Sequence, residues 1–429
     1  MRPTPRLILL VGALAVLALF GLEDTLWRLC VATLLAVALV DLWVARGQAN
    51  VAVDRRLPPS LPVNRSTEVV LVLSHEYGRI VSARVSDRCP VELGATARPV
   101  RVKLLPGQPM ELRYTLRPHA RGEYVIPSTD MIVDSPLALW QLRRNVEQAC
   151  ATRVYPDFAV IAGYLEMVTD QRISRLGVKL APRRGEGLEF HQLREYREGD
   201  PLRQIDWKAT ARRRELISRE YQEERDQRVM FLIDSGRRMR SFDGELSHFD
   251  HALNAMLLLA YVALRQGDSV GLLSFGHAVK WVAPMRGVGS LSVLLNEVFD
   301  LQTGPVASDY VAAAEELMAR QRKRALVVLM TNLREEDSDL PGALRLLARH
   351  HVVMLANLRE VSLDLAAQTP VRGLQDALTV AGTADYLATR REIQRSFEPF
   401  CHVTLDTVPS ELPIRVVNAY WQVKRSGVL

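Results

Sequence analysis

The sequence predicts an α/β class, with a mainly parallel, Rossmann-type sheet in the C-terminal half. A β-rich segment and an apolar helical hairpin precede it. Three observations carry this. Two apolar runs open the chain, period-two alternation with frequent turn residues fills residues 50–150, and strand-like and helix-like runs alternate from about 227 onward.

The first apolar run, Leu7 to Leu22, holds no charge, and the second, Thr25 to Ala45, is interrupted by Arg28 and Asp41. A spanning helix needs about 20 apolar residues, so the second run is long enough and the first needs its flanks. Glu23-Asp24 alone separates them, which predicts a tight hairpin. Arg2 and Arg6 precede the pair and Arg46, Arg55 and Arg56 follow it, so the positive-inside rule places both ends in the cytoplasm. A cleaved signal peptide is the rival reading; the second apolar run, which follows at once, and the lack of a clear Ala-x-Ala cleavage site speak against it. Arg28 and Asp41 sit near helix ends, where snorkelling is expected.

Between 49 and 150, Val69–Leu73 and Glu111–Leu116 read as strands, punctuated by Pro58-Pro59, Pro106-Gly107, Arg121-Gly122 and Ser135-Pro136. This predicts a β-sandwich-like domain with a structural or adhesive role. From 227 the strand-like runs are Arg228–Ile233, Ser269–Phe275, Ala325–Met330 and His351–Leu358, with helical patterns at 247–266, 290–301, 308–321 and 340–350. The strands are apolar on both faces, as a doubly covered sheet requires. The expected division is a two-helix anchor (1–48), the β-rich domain (49–150), a linker with a signature segment (151–226) and the α/β domain with a C-terminal extension (227–429).

Composition excludes little. An apolar content of 48%, a charged content of 24% and a formal net charge of +6 over 429 residues suit a globular chain beside an anionic leaflet. Cys30, Cys89, Cys150 and Cys401 show neither zinc nor redox spacing. No phosphate-binding glycine motif follows a strand, so no cofactor is expected. The basic clusters Arg183-Arg184 and Arg212–Arg214 are offset by Glu215, Glu220, Glu223 and Glu224 and lack an aromatic platform, so nucleic acid is not an expected partner. His248 and His251, three apart, lack a carboxylate at ligand spacing.

The stretch from Glu189 to Arg212 contains Arg194-Glu195-Tyr196-Arg197-Glu198-Gly199-Asp200 and Arg203-Gln204-Ile205-Asp206-Trp207-Lys208-Ala209. It resembles the signature of the bacterial "domain of unknown function 58" proteins. The resemblance implies a membrane hairpin, a β-rich segment and a von Willebrand factor A-like domain. It further implies an adaptor role with a MoxR-type AAA+ ATPase, alongside other membrane or envelope proteins and the lipid bilayer. Carried over, the Mg²⁺ site of such domains falls on Asp234, Gly236, Arg238, Ser308 and Asn332. Gly236 and Arg238 stand for two serines and Asn332 for an aspartate, so the resemblance implies a degenerate, metal-free site. Arg238 would repel a cation there.

The signature has its own chemistry. Asp200-Pro201 is a helix opening, and Arg203 with Asp206 and Lys208 with Arg212 share helix faces. Gly199, Asp200, Arg203, Asp206, Trp207, Lys208 and Arg212 form either a folding clasp with a buried Trp or a docking surface. The favoured expectation is a non-enzymatic, membrane-anchored interaction module. Two alternatives stand beside it: an enzyme using Asp200, Asp206 and Lys208, and a conventional Mg²⁺-dependent adhesion domain.

Overall fold

A computed structural model describes residues 1–20, 24–47, 51–96, 99–157, 189–196, 205–222, 227–334 and 339–428. The chain forms two compact units, Met1–Tyr155 and Pro156–Leu429.

In the first unit, helix α1 (Pro5–Leu19) is capped by the Thr4 side chain, and helix α2 covers Asp24–Gly47. Only Thr25–Gly47 is long and apolar enough to cross a membrane among the described residues. At 1.5 Å per residue the 15 residues of α1 reach about 22 Å, short of a hydrocarbon core of about 30 Å. The expected snorkelling of Asp41 is corrected. Its side chain is buried, with Oδ2 accepting from Ser135 Oγ at 2.5 Å and Oδ1 from the Leu137 amide at 2.9 Å. Trp140 Nε1 donates to the Ala38 carbonyl at 2.8 Å, so a single turn of the β-region clasps the helix.

Strands β1 (Ala52–Arg56), β3 (Thr67–Ser74) and β6 (Met110–Leu116) make a three-stranded antiparallel sheet in the order β1-β3-β6. A second sheet joins β5 (Val100–Leu104), β4 (Val81–Asp87), β7 (Gly122–Asp134) and β8 (Trp140–Tyr155) antiparallel, with β2 (Ser60–Pro62) parallel to β8. Alternate residues are buried, such as Val69, Leu71 and Leu73 on β3 and Val81, Ala83 and Val85 on β4. That is the pattern of a sheet with one dry face.

A buried ion pair ties the two sheets. Arg55 of β1 donates to both Asp87 oxygens, at 2.6 and 3.0 Å, and to the carbonyls of Gln148 and Ile126 at 2.7 and 3.2 Å. Tyr114 of β6 and Thr129 of β7 add hydroxyl bonds to Asp87 at 2.6 and 2.9 Å. Burial, then the bond to Asp87, pushes the Tyr114 phenol well above its ordinary value. A period-two pattern gives no sign of this link.

In the second unit, hairpin β9 (Glu189–Glu195) and β10 (Ile217–Gln222) flanks helix α3 (Trp207–Arg213). A six-stranded sheet follows. Its strands are β11 (Arg228–Asp234), β12 (Ser269–Phe275), β13 (Lys280–Met285), β14 (Leu326–Thr331), β15 (Val352–Leu358) and β16 (Val403–Thr407), in spatial order β13-β12-β11-β14-β15-β16. Odd residues of β11 (Val229, Phe231, Ile233) enter one core with helices α4 (His248–Arg265), α5 (Ser290–Val298) and α10 (Leu412–Ser426). Met230 and Leu232 enter the other, with α6 (Tyr310–Arg320), α7 (Leu340–Ala348) and Phe397, while the short helix α8 (Val361–Ala367) follows β15. Ser247 and Asp250 form a capping box at the start of α4. Lys424 of α10 donates to both oxygens of buried Asp268, at 3.0 and 2.8 Å, and Tyr420 OH donates to one at 2.5 Å.

The expected class is corrected here. Ladders β11–β12, β11–β14, β14–β15 and β15–β16 are parallel, but β12–β13 is antiparallel, and most strand pairings among the described residues are antiparallel. The chain is a β-rich, mixed-sheet fold rather than a parallel Rossmann-type, von Willebrand factor A-like one. The physical reason is the short links. Hairpins such as β7–β8 and β12–β13 can join only antiparallel neighbours, whereas a parallel pair needs a long crossover. Strand β13 carries Pro284 and lies at a sheet edge, where a missing donor is tolerated.

Removing one partner of a buried ion pair leaves an uncompensated charge, which costs about 3–5 kcal/mol. Arg55→Ala is therefore expected to lower the urea midpoint of the first unit's unfolding in the detergent-solubilised chain. The paired replacement Arg55→Met with Asp87→Leu should recover most of that loss.

Candidate functional site

The carboxyl ends of the parallel strands gather polar side chains into a sheet otherwise apolar. Asp234, the last residue of β11, is fully buried. Its Oδ1 accepts from the Gly236 amide at 2.7 Å and from the Ser308 hydroxyl. Its Oδ2 accepts from Thr331 Oγ1 at 2.7 Å and Tyr310 OH at 3.4 Å, and those two hydroxyls lie 2.8 Å apart. Ser308 sits just before α6, Tyr310 is its first residue, and Thr331 ends β14. The chain itself thus supplies four donors to one carboxylate.

Glycine is required beside it. A Cβ on Gly236 would collide with Ser308 Oγ and lie 3.0 Å from the Val306 carbonyl. Gly276, at φ +95, brings its backbone so close that a Cβ would stand 2.9 Å from the Gly236 amide nitrogen. Gly276 meets both the conformational and the steric demand for the smallest residue.

Asn332, one residue after β14, is buried and turned away from Asp234. Its Nδ2 donates to Glu360 Oε1 at 2.8 Å and lies 3.3 Å from His248 Nδ1. Burial pushes the Glu360 carboxyl up, and the Asn332 bond with Arg390 and Arg334 nearby outweighs it, leaving Glu360 below the ordinary carboxylate value. Burial holds the His248 imidazole below its ordinary 6.5 against the pull of Glu360. Beneath this cluster Arg390 of helix α9 (Leu374–Phe397) donates to the carbonyls of Leu333 and Leu358 at 2.6 and 2.7 Å and to Asp406 at 3.1 Å.

The positions singled out in the sequence therefore separate. Asp234, Gly236 and Ser308 meet in one cluster, Asn332 belongs to the neighbouring one, and Arg238 is half-buried in the short helical turn Arg237–Arg240. This set does not fit a magnesium ion. One carboxylate is present, its oxygens already accept hydrogen bonds, Gly236 offers no oxygen side chain, and Asn332 presents an N–H to Glu360. Among the described residues no group of three or more His, Cys, Asp and Glu is placed to hold a metal. Tyr310 and Glu360 went unnoticed in the sequence. For Glu360 the usable signal was its place just beyond β15, at the edge that also carries Asp234 and Asn332.

The signature segment is partly visible. Gly199, Asp200 and Arg203, like Arg183-Arg184, lie outside the described residues. Helix α3 opens on Asp206, whose Oδ1 accepts from the Lys208 and Ala209 amides at 3.0 and 2.9 Å, and it closes on Arg214 at φ +59. Ile205 is buried, but Trp207 is 67% exposed. Lys208, Arg212, Arg213, Arg214 and Glu215 are exposed along the same short segment, as are Leu193 and Leu216. The expected burial of the Trp is not seen in the described part of this segment.

Residues 192–398 match the family model described as Protein of unknown function DUF58. Uncharacterized proteins of Mycobacterium tuberculosis and Mycobacterium bovis are each 23% identical over 215 residues, which is 49% of this chain and 68% of theirs. Among solved structures, proximal thread matrix protein 1 of the mussel byssus is 13% identical, with a TM-score of 0.31 over 46% of this chain and 48% of that one. Native alpha-2-macroglobulin from Escherichia coli is 15% identical, with a TM-score of 0.22 over 25% of this chain and 17% of that one.

Overpacking a tight site costs roughly 1–3 kcal/mol. Gly236→Ser is expected to destabilise the chain by that order in urea unfolding, and calorimetric titration of the variant should show no gain of Mg²⁺ binding. A pH dependence follows from His248. Its value is depressed in the fold, so the unfolded chain takes up the proton first and stability falls as pH drops below about 6.5. The urea midpoint should decline between about pH 7 and 5, and His248→Gln should flatten that decline.

Proposed function

We propose that this chain is a membrane-tethered protein-interaction module whose docking face is the signature helix α3. The observation that carries the reading is the exposure of Trp207 at 67% among four basic side chains. Trp and Arg are the residues most enriched at binding hot spots. A basic rim around an aromatic anchor fits a partner that presents acidic groups around an apolar pocket. Asp206 spends its carboxylate on helix amides, which supports docking over acid–base chemistry at the signature.

The partner expected from the family resemblance is a MoxR-type AAA+ ATPase, with the chain acting as its adaptor in complex assembly or envelope maintenance. The anchor in this reading is a helical hairpin made by α1 and α2, and the basic residues at both flanks favour a cytoplasmic soluble part.

Affinity capture of the full chain from detergent-solubilised membranes tests the proposal. An AAA+ ATPase should be retained, and Trp207→Ala or the pair Arg212→Glu with Arg213→Glu should reduce its recovery about tenfold or more, since a hot-spot anchor contributes about 2 kcal/mol or above. Recovery from both variants equal to that of the unaltered chain would refute the docking face.

A further inference from the structure

Beside α2 lies a groove of about 430 Å³, walled by Val37, Val40 and Val44 of the helix and by Leu137 of the β7–β8 turn. Two charged residues also line it, Asp41 and Arg79. They differ in their bonding. Asp41 already accepts from Ser135 Oγ and the Leu137 amide. Arg79 is exposed and makes no ion pair or hydrogen bond among the described residues. An apolar trough therefore offers one uncommitted cation.

Helix length fixes the depth of this groove in a bilayer. The sixteen residues Thr25–Val40 rise about 24 Å, short of a hydrocarbon core of about 30 Å. A spanning α2 must therefore sink until the turn that holds Asp41 reaches the hydrocarbon boundary. Exposed apolar side chains mark the same level: Trp43 at 77%, Ile80 at 56% and Leu137 at 54%. Interfacial Trp is a common marker of that boundary. At this depth the hydrophobic trough meets acyl chains and the guanidinium meets phosphates, which it can bind in bidentate fashion.

We propose that this groove is a glycerophospholipid site, with one acyl chain along Val37, Val40 and Val44 and the lipid phosphate on Arg79. It rests on the membrane reading of α2. The lipid would fill the contact between the anchor and the β-region rather than merely surround it.

The full chain, purified in mild detergent, is titrated with dioleoylphosphatidylglycerol and with dioleoylglycerol, which lacks the phosphate, and bound lipid is read by native mass spectrometry. The phosphatidylglycerol should bind saturably and about tenfold more tightly than dioleoylglycerol, the size of one charge-assisted contact. Arg79→Ala should remove that preference and Arg79→Lys should keep part of it. Val40→Trp, which fills the trough, should abolish binding of both lipids. Unchanged phosphatidylglycerol binding in Arg79→Ala and Val40→Trp would overturn the site. Flotation with phosphatidylcholine–phosphatidylglycerol vesicles after alkaline carbonate separates the two readings. A chain that stays with the vesicles while the variants bind lipid normally refutes the groove alone. A chain that washes off refutes the anchor, and the groove with it.

Discussion

A carboxylate withdrawn from water must be given donors, or the fold does not hold. Asp41, Asp87, Asp234 and Asp268 are each no more than 8% exposed, and each is closed by partners far away in the chain. Ser135 and Leu137 serve Asp41, Arg55 and Tyr114 serve Asp87, Ser308 and Thr331 serve Asp234, and Lys424 and Tyr420 serve Asp268. Each contact joins elements that hydrophobic periodicity alone would leave independent: helix α2 to a β-turn, sheet to sheet, strand end to helix start, and the start of β12 to α10. The polar closures decide which apolar surfaces meet.

This also separates the places where the molecule spends its polar groups from those where it displays them. The strand-end cluster spends its donors internally, and Gly236 and Gly276 allow the backbone to close over Asp234. The signature helix does the reverse. Its single described acid caps its own amides while Trp207 and the arginines face solvent. A surface built in that way loses binding energy if buried at random and gains it only with a complementary partner.

Much of the second unit was legible in apolar runs. The strands beginning at Arg228, Ser269, Leu326 and Val352 fall where continuous Val, Leu and Ile runs sit, because both faces of that sheet are covered. The edge strand Lys280–Met285 was missed, since it is half-exposed and broken by Pro284, and with it went the mixed character of the sheet. At the candidate sites the sequence marked Asp234 and Ser308 but not their saturation, which depends on Thr331 and Tyr310 arriving from other elements. Asp41 was misread for the same reason: its partners lie 94 and 96 residues away, and no local pattern announces them. The exposure of Trp207 was equally invisible, because an aromatic residue in a helix reads as core until its neighbours are placed.

The seat of the last helix carries a consequence for biogenesis. Helix α10 completes the core face formed by Val229, Phe231, Ile233 and α4, and its Lys424 neutralises Asp268. A nascent chain therefore exposes that oily face, and an unsatisfied acid at its margin, until α10 has been made and docks. Folding of this core face therefore waits on α10, the element that both covers it and pairs its acid.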